Sequence, residues 1–216
     1  MSPKEARRYL DGEWIELKGE VVYYEYESEF QYRKTIDYEI DPKNQVILAF
    51  DFNIGDGKPM SAIMMQHIDD EFHGFGEAVI HGARTAQIIE DWDGRGLLKP
   101  EYEYLITGDS AGKNRDTRST RSDYDIIMKE LSDRGIKYIY GVPAANPPLR
   151  ARHNRVNAYC KNAAGNRRLY FYKGCPVADE GMRLVKLKEG DKVADIVKVP
   201  VAEDLPLAPQ KTLDVV

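Results

Sequence analysis

Cysteine is nearly absent from this sequence: Cys160 and Cys175 are the only two. Two isolated thiols form neither a disulfide framework nor a zinc-ligand pattern, so both are expected as buried free thiols. Long apolar runs are missing as well. No stretch approaches the ~18 consecutive apolar residues that a bilayer span requires, and the first ten residues hold no signal-peptide core. A cytoplasmic protein with no membrane partner is therefore expected. There is no internal repeat and no low-complexity tract. An overall basic excess is lacking too, since the net charge is -5, which argues against a wholly basic nucleic-acid binder.

The composition, with 42% hydrophobic and 31% charged residues, is that of an ordinary soluble domain. At 216 residues the chain has room for one sizeable domain with an appendage. Its charge is segregated. Residues 109–168 hold 13 Lys and Arg against 6 Asp and Glu, leaving 18 basic and 30 acidic residues elsewhere. One face gripping a polyanion produces such a split, and a solvated basic helix is the plainer alternative.

Residues 1–19 read as a short amphipathic helix ending in a Gly turn. Residues 20–45 mix aromatic and acidic letters with no core period, so 1–44 is expected to be an adapter and 45–216 the principal domain. From Gln45 the pattern sharpens. "QVILAFDFNIG" and "MSAIMMQHI", separated by "GDGKP", predict a hairpin, and "EFHGFGEAVIH" a third strand. A helix at "ARTAQIIEDWDGRG" and a strand at "YEYLITGD" follow. "SDYDIIMKELSDRG" predicts a helix capped by Ser122 or Asp123 and stopped at Gly135. Then come a strand "IKYIYGVP", a basic helix "LRARHNRVNAYCKNAAG" stopped at Gly165, a strand "RRLYFYKGC", and a partly helical "PVADEGMRLVKLKEG" starting at Pro176. Three antiparallel strands, a helix, then strand, helix and strand predict an α/β, ribonuclease H-like mixed β-sheet with helices on both faces.

Two chemistries compete at "LITGDSAGKNRDTR". A Walker A loop needs four residues between its glycines and a hydroxyl after the lysine. Gly108 and Gly112 are separated by three residues and Asn114 follows Lys113, so a phosphate cradle is disfavoured. The alternative is a metal site. Asp51 and Asp109 each stand at the end of an apolar strand, where an unpaired carboxylate is costly. Should the two strands be neighbours, mutual repulsion raises the pKa of one acid unless a divalent cation neutralises both, and oxygen-only ligands suit Mg²⁺ or Mn²⁺ rather than zinc. Two such ions about 4 Å apart can activate water and stabilise the leaving oxygen of a phosphodiester. Taken singly, Asp51 also fits a turn start, and Asp109 an Asx bond to Ala111 or Gly112.

The letters resemble the nuclease domain of the large terminase subunit of tailed bacteriophages, over most of the chain. "RRYLDGEW" is similar to the passage from ATPase into nuclease, "ILAFDFNIG" to the first catalytic strand, and "ITGDSAGKNRDTRSTRSDYDII" to the second catalytic motif with its helix. "RARHNRVNAYCKNAAGNRRLYFYKGCP", with Arg155 and Asn157, resembles the later helix and strand. The resemblance implies a two-metal endonuclease, using Mg²⁺ or Mn²⁺, that cuts double-stranded viral DNA concatemers during packaging. It implies Asp51 and Asp109 as the first two metal-binding catalytic acids. For the third, the resemblance implies an acid in a pattern like T-H-x-x-D-A, for which "QKTLDVV" offers Asp214 with lysine in place of histidine. Asp179, Asp191, Asp195 and Asp204 are the substitutes. Implied partners are the terminase ATPase domain, the small terminase subunit and the portal protein, in the cytoplasm of a bacterial host. No P-loop fits into residues 1–45, so an isolated nuclease domain or split-gene product without ATP hydrolysis is expected.

Lys113, Arg115, Arg118, Arg121, Arg150, Arg152 and Arg155 are the candidate DNA contacts, weighed against a solvated face paired to Asp116 and Asp123. His67, His73 and His81 lack ligand spacing, Asn53 suits a turn beside Gly55, and Tyr23, Tyr24, Tyr26, Phe30 and Tyr32 are read as core or partner surface. The competing functions are a Holliday-junction resolvase or ribonuclease H relative, and a catalytically weak module that docks packaging partners.

Overall fold

Five consecutive apolar residues, Val46 to Phe50, have no polar face, so a strand made from them has to be covered on both sides. The structure, a computed structural model describing residues 21–52, 59–114 and 121–186, covers it with two helical layers around a seven-stranded sheet. The elements are α1 (Ser28–Gln31), β1 (Tyr32–Arg33), β2 (Val46–Asp51), β3 (Pro59–Ile68), β4 (Glu71–His81), α2 (Ala86–Gly94) and β5 (Glu103–Gly108). A 3-10 turn (Ser110–Lys113), α3 (Asp123–Asp133), β6 (Lys137–Tyr140), α4 (Leu149–Cys160), β7 (Leu169–Tyr172) and α5 (Pro176–Leu184) follow. Across the sheet the order is β1-β7-β4-β3-β2-β5-β6. β2, β3 and β4 form the antiparallel meander, while β5 runs parallel to β2 and β6 parallel to β5. This is the mixed, ribonuclease H-like sheet that the element order predicts.

Alternation along β2 divides the core. Val46, Leu48 and Phe50 face one layer with Ile88, Ile89 and Trp92 of α2 and Tyr124, Ile127 and Leu131 of α3. Ile47 and Ala49 face the other, with Val156 and Cys160 of α4 and Ala178 and Met182 of α5. Both cysteines are buried free thiols. Among the described residues no helix is long and apolar enough to cross a membrane.

Local chemistry sets the helix ends. Ser122 caps α3 through a reciprocal box, its hydroxyl accepting from the Asp125 N–H while the Asp125 carboxylate accepts from the Ser122 N–H. Helix α4, expected to reach Gly165, stops at Cys160. Asn162 takes over the backbone there, its side-chain oxygen accepting from the N–H groups of Ala164 and Asn166. Helix α5 ends at Leu184 because Val185 turns extended, and the Val185 carbonyl accepts from the Val22 N–H at 2.8 Å.

The segment before β2 is tied into this frame. β1 pairs parallel with β7, and the buried Gln31 donates to the Leu169 carbonyl at 2.9 Å. Asn157 on α4, also buried, donates to the carbonyls of Val22 and His153 and accepts from the Glu25 N–H. Buried Gln66 clasps Asp41 and Asn44 in the same way.

Glu77 on β4 joins two elements: its carboxylate accepts from the N–H groups of Val177 and Ala178, both at 2.7 Å, at the start of α5. Burial pushes its pKa up from 4.5 to about 7 despite those two bonds. A carboxyl raised in the folded state contributes stability that is complete below pH 4.5 and lost as the pH climbs through about 7. The melting temperature is expected to fall between about pH 5 and pH 8. In Glu77→Gln, which carries no charge at either pH, that fall should be shallower, as thermal denaturation by circular dichroism will read.

Candidate metal centre

Two parallel strands end side by side at the site. β2 and β5 are in register from Val46↔Tyr104 to Phe50↔Gly108, so the next residues, Asp51 and Asp109, are neighbours across the strand pair. The Asp109 N–H donates to the Phe50 carbonyl at 2.9 Å, continuing the ladder to the acid itself. Adjacent strands lie about 4.8 Å apart. Alternation carries Asp51 to the face that α4 and α5 cover.

Glycine is required at both ends of the motif "GDSAG", for steric reasons. Gly108 has φ +132, and a Cβ there would lie 2.1 Å from the Phe50 carbonyl oxygen. At Gly112 a Cβ would lie 2.3 Å from the Phe52 ring. These glycines let two backbones and an aromatic ring close around Asp109.

Asp109 is held from several directions. Its Oδ1 accepts from its own turn, the Ala111 N–H at 2.8 Å, and from the Asn146 amide at 2.7 Å. Its carbonyl accepts from the hydroxyl of Tyr124, a buried α3 residue packed edge-on to Phe50 and Phe52. The Asx bond and the strand-end position thus occur together. Among the described residues, Oδ2 of Asp109 accepts no hydrogen bond.

The two acids follow one another across the strand pair, so a cation shared by their oxygens would lower the repulsion between them. The donor set fits a hard divalent ion: it is made of oxygen atoms only, and it includes the Asp109 Oδ2 that no described residue engages. Among the described residues no three His, Cys, Asp or Glu side chains gather as metal ligands. Asp179 is buried and engaged as acceptor for Tyr26, Ser28 and Arg183. Asp214, Asp191, Asp195 and Asp204 lie outside the described residues.

Of the basic candidates, Arg115 and Arg118 lie outside the described residues, as does Asn53. Arg121 is exposed directly before the Ser122 cap. On α4 the buried stripe is His153, Val156, Asn157 and Cys160, which leaves Arg150 and Arg155 exposed and Arg152 half-buried. Lys113 turns inward to the loop after β6, donating to the carbonyls of Val142 and Pro143 at 3.2 and 2.6 Å. His73 is buried between aromatic rings, which pushes its pKa down to about 4, and among the described residues it joins no cluster of metal ligands. Asn146 was not legible as a site residue. Its only sequence signal is Asn before Pro, which marks a turn and does not say which loop the amide meets.

No family model and no curated protein matches the sequence. Solved structures do match the fold. The nuclease domain of the P22 large terminase superposes with a TM-score of 0.59 at 14% identity, over 83% of this chain and 86% of that one. The nuclease domain of the SPP1 large terminase, g2p, determined with bound Mn, gives 0.51 at 12% identity over 82% and 90%. This chain has the fold of the large-terminase nuclease domains. The large terminase of a thermophilic bacteriophage gives 0.57 at 14% identity over 91% of this chain and 46% of its own length, so the chain spans about half of that protein. Asp51 and Asp109 therefore sit at the ends of the adjacent parallel strands β2 and β5 of a terminase-nuclease fold.

The close approach at Gly108 yields a direct test. Gly108→Ala should destabilise the protein by about 3 kcal/mol, from backbone strain together with overpacking. Urea denaturation is expected to show a lower midpoint than Gly135→Ala, where a Cβ meets no atom within 4 Å and only the positive φ of 69 is strained.

Proposed function

We propose that this chain is a terminase large-subunit nuclease domain, a metal-dependent endonuclease that cuts double-stranded viral DNA concatemers during genome packaging. The observation that carries the reading is the adjacency of Asp51 and Asp109 at the ends of β2 and β5, in a fold shared with terminase nuclease domains. Both acids are proposed to hold Mg²⁺ or Mn²⁺, in a two-ion site completed by Asp214. When bound, such ions supply a water nucleophile at neutral pH and charge stabilisation for the leaving oxygen. The chain's own part is to keep the carboxylates fixed and near one another. Asp109 is tied through its N–H, its carbonyl and Oδ1, which leaves little reorganisation for ion binding.

Arg115, Arg118, Arg121, Arg150, Arg152 and Arg155 are proposed to grip the phosphate backbone, supported by the local basic excess of residues 109–168. Lys113, whose ammonium bonds the carbonyls of Val142 and Pro143, is proposed to add its charge to the same contact with the phosphate backbone. The ATPase domain, small subunit and portal are the proposed partners, in the cytoplasm of a phage-bearing bacterial cell.

Supercoiled plasmid incubated with the protein and Mn²⁺ or Mg²⁺ is expected to turn into nicked and linear forms. Asp51→Ala and Asp109→Ala should each slow this by at least about 100-fold, the loss expected when several kcal/mol of transition-state stabilisation goes. If both variants cut at the parental rate, the assignment is wrong. Faster cleavage of a four-way junction or an RNA·DNA hybrid than of linear duplex would transfer the site to the resolvase or ribonuclease H reading.

A further inference from the structure

If Asp109 holds a cation, the reading on which this inference rests, its carboxylate has to keep one orientation. A carboxylate bound only by its own Asx turn can flip by half a rotation and offer either oxygen to the Ala111 N–H. A second donor from another direction removes that equivalence. Asn146, half-buried in the loop between β6 and α4, is such a donor: its Nδ2 lies 2.7 Å from Asp109 Oδ1, while its Oδ1 accepts from the Ser110 N–H at 2.9 Å.

The chemistry of the two partners fixes the amide's orientation. A carboxylate only accepts and a backbone N–H only donates, so the group bridging them has to present one donor and one acceptor on a planar fork. Asn does this at the reach observed here. The loop that carries it is anchored independently, because Lys113 donates to the carbonyls of Val142 and Pro143, close before Asn146 in the chain. The amide thus arrives already positioned.

We propose that Asn146 is a positioning residue for the metal site: it locks Asp109 with Oδ1 occupied, so that Oδ2, which accepts no bond among the described residues, is the oxygen turned to the cation. Partners of this kind that orient a ligand carry about 10- to 100-fold in metal affinity. A residue that merely tied two loops together would affect folding and not the ion's dissociation constant.

The test is calorimetric titration of the 216-residue protein with Mn²⁺ alone, set beside plasmid nicking at graded Mn²⁺. Asn146→Ala is expected to raise the Mn²⁺ Kd about 10-fold, with an unchanged circular dichroism spectrum, and saturating Mn²⁺ should restore the parental nicking rate. Asn146→Ser, which keeps a small hydrogen-bonding group in the loop, should fall between the two and serves if alanine prevents folding. An unchanged Kd in Asn146→Ala, with Asp109→Ala still abolishing binding, overturns the positioning role and spares the metal centre. A rate loss that saturating Mn²⁺ does not restore also overturns it. Unchanged binding in Asp109→Ala overturns the metal centre and this inference together.

Discussion

The bond from the Asp109 N–H to the Phe50 carbonyl fixes the register on which the site depends. Parallel pairing of β2 with β5 aligns residues 46 to 50 with 104 to 108, and this last rung brings the two strand-end acids alongside each other. A slip of one residue would send one carboxylate to the opposite face of the sheet. Gly108 is the condition for the rung, since any side chain there collides with the backbone of Phe50. Tyr124 then secures the Asp109 carbonyl from α3.

The strand ends that carry the two acids are held by the packed layers beneath them. Phe50 lies beneath Asp51 in β2 and packs against Trp92 and Tyr124, all fully or almost fully buried. Truncating one such aromatic costs about 3–5 kcal/mol. Rigid strands therefore present the acids, while the loops at 110–113 and 141–148 meet at the site and adjust them.

Much of the fold is legible in the letters because its elements carry strong local signals. The unbroken run Val46–Phe50 reads as a strand covered on both faces, and Ile89 and Trp92 at helical spacing do pack as the inner side of α2. Ser122 announces its own cap. What stays hidden is tertiary. Two strands and a helix separate β2 from β5 in sequence, and no local pattern states that they pair. Helix α4 ends earlier than its pattern indicates because Asn162 captures the Ala164 N–H, which the pattern assigns to the helix, and the Asn166 N–H just beyond it. Residues 21–45 show no period because they pack as short pieces, with Val22, Tyr23 and Tyr26 buried against one layer and Tyr38 stacked on Phe75 at the other. Asn146 meets Asp109 37 residues away, a contact no spacing rule anticipates.

A crystal structure of the protein soaked in Mn²⁺, with anomalous diffraction recorded, tests the central claim most directly. The account predicts an anomalous peak bridging the carboxylates of Asp51 and Asp109, at about 2.0–2.6 Å from an oxygen of each. A peak elsewhere, or carboxylates that turn away from one another with no ion between them, would contradict it.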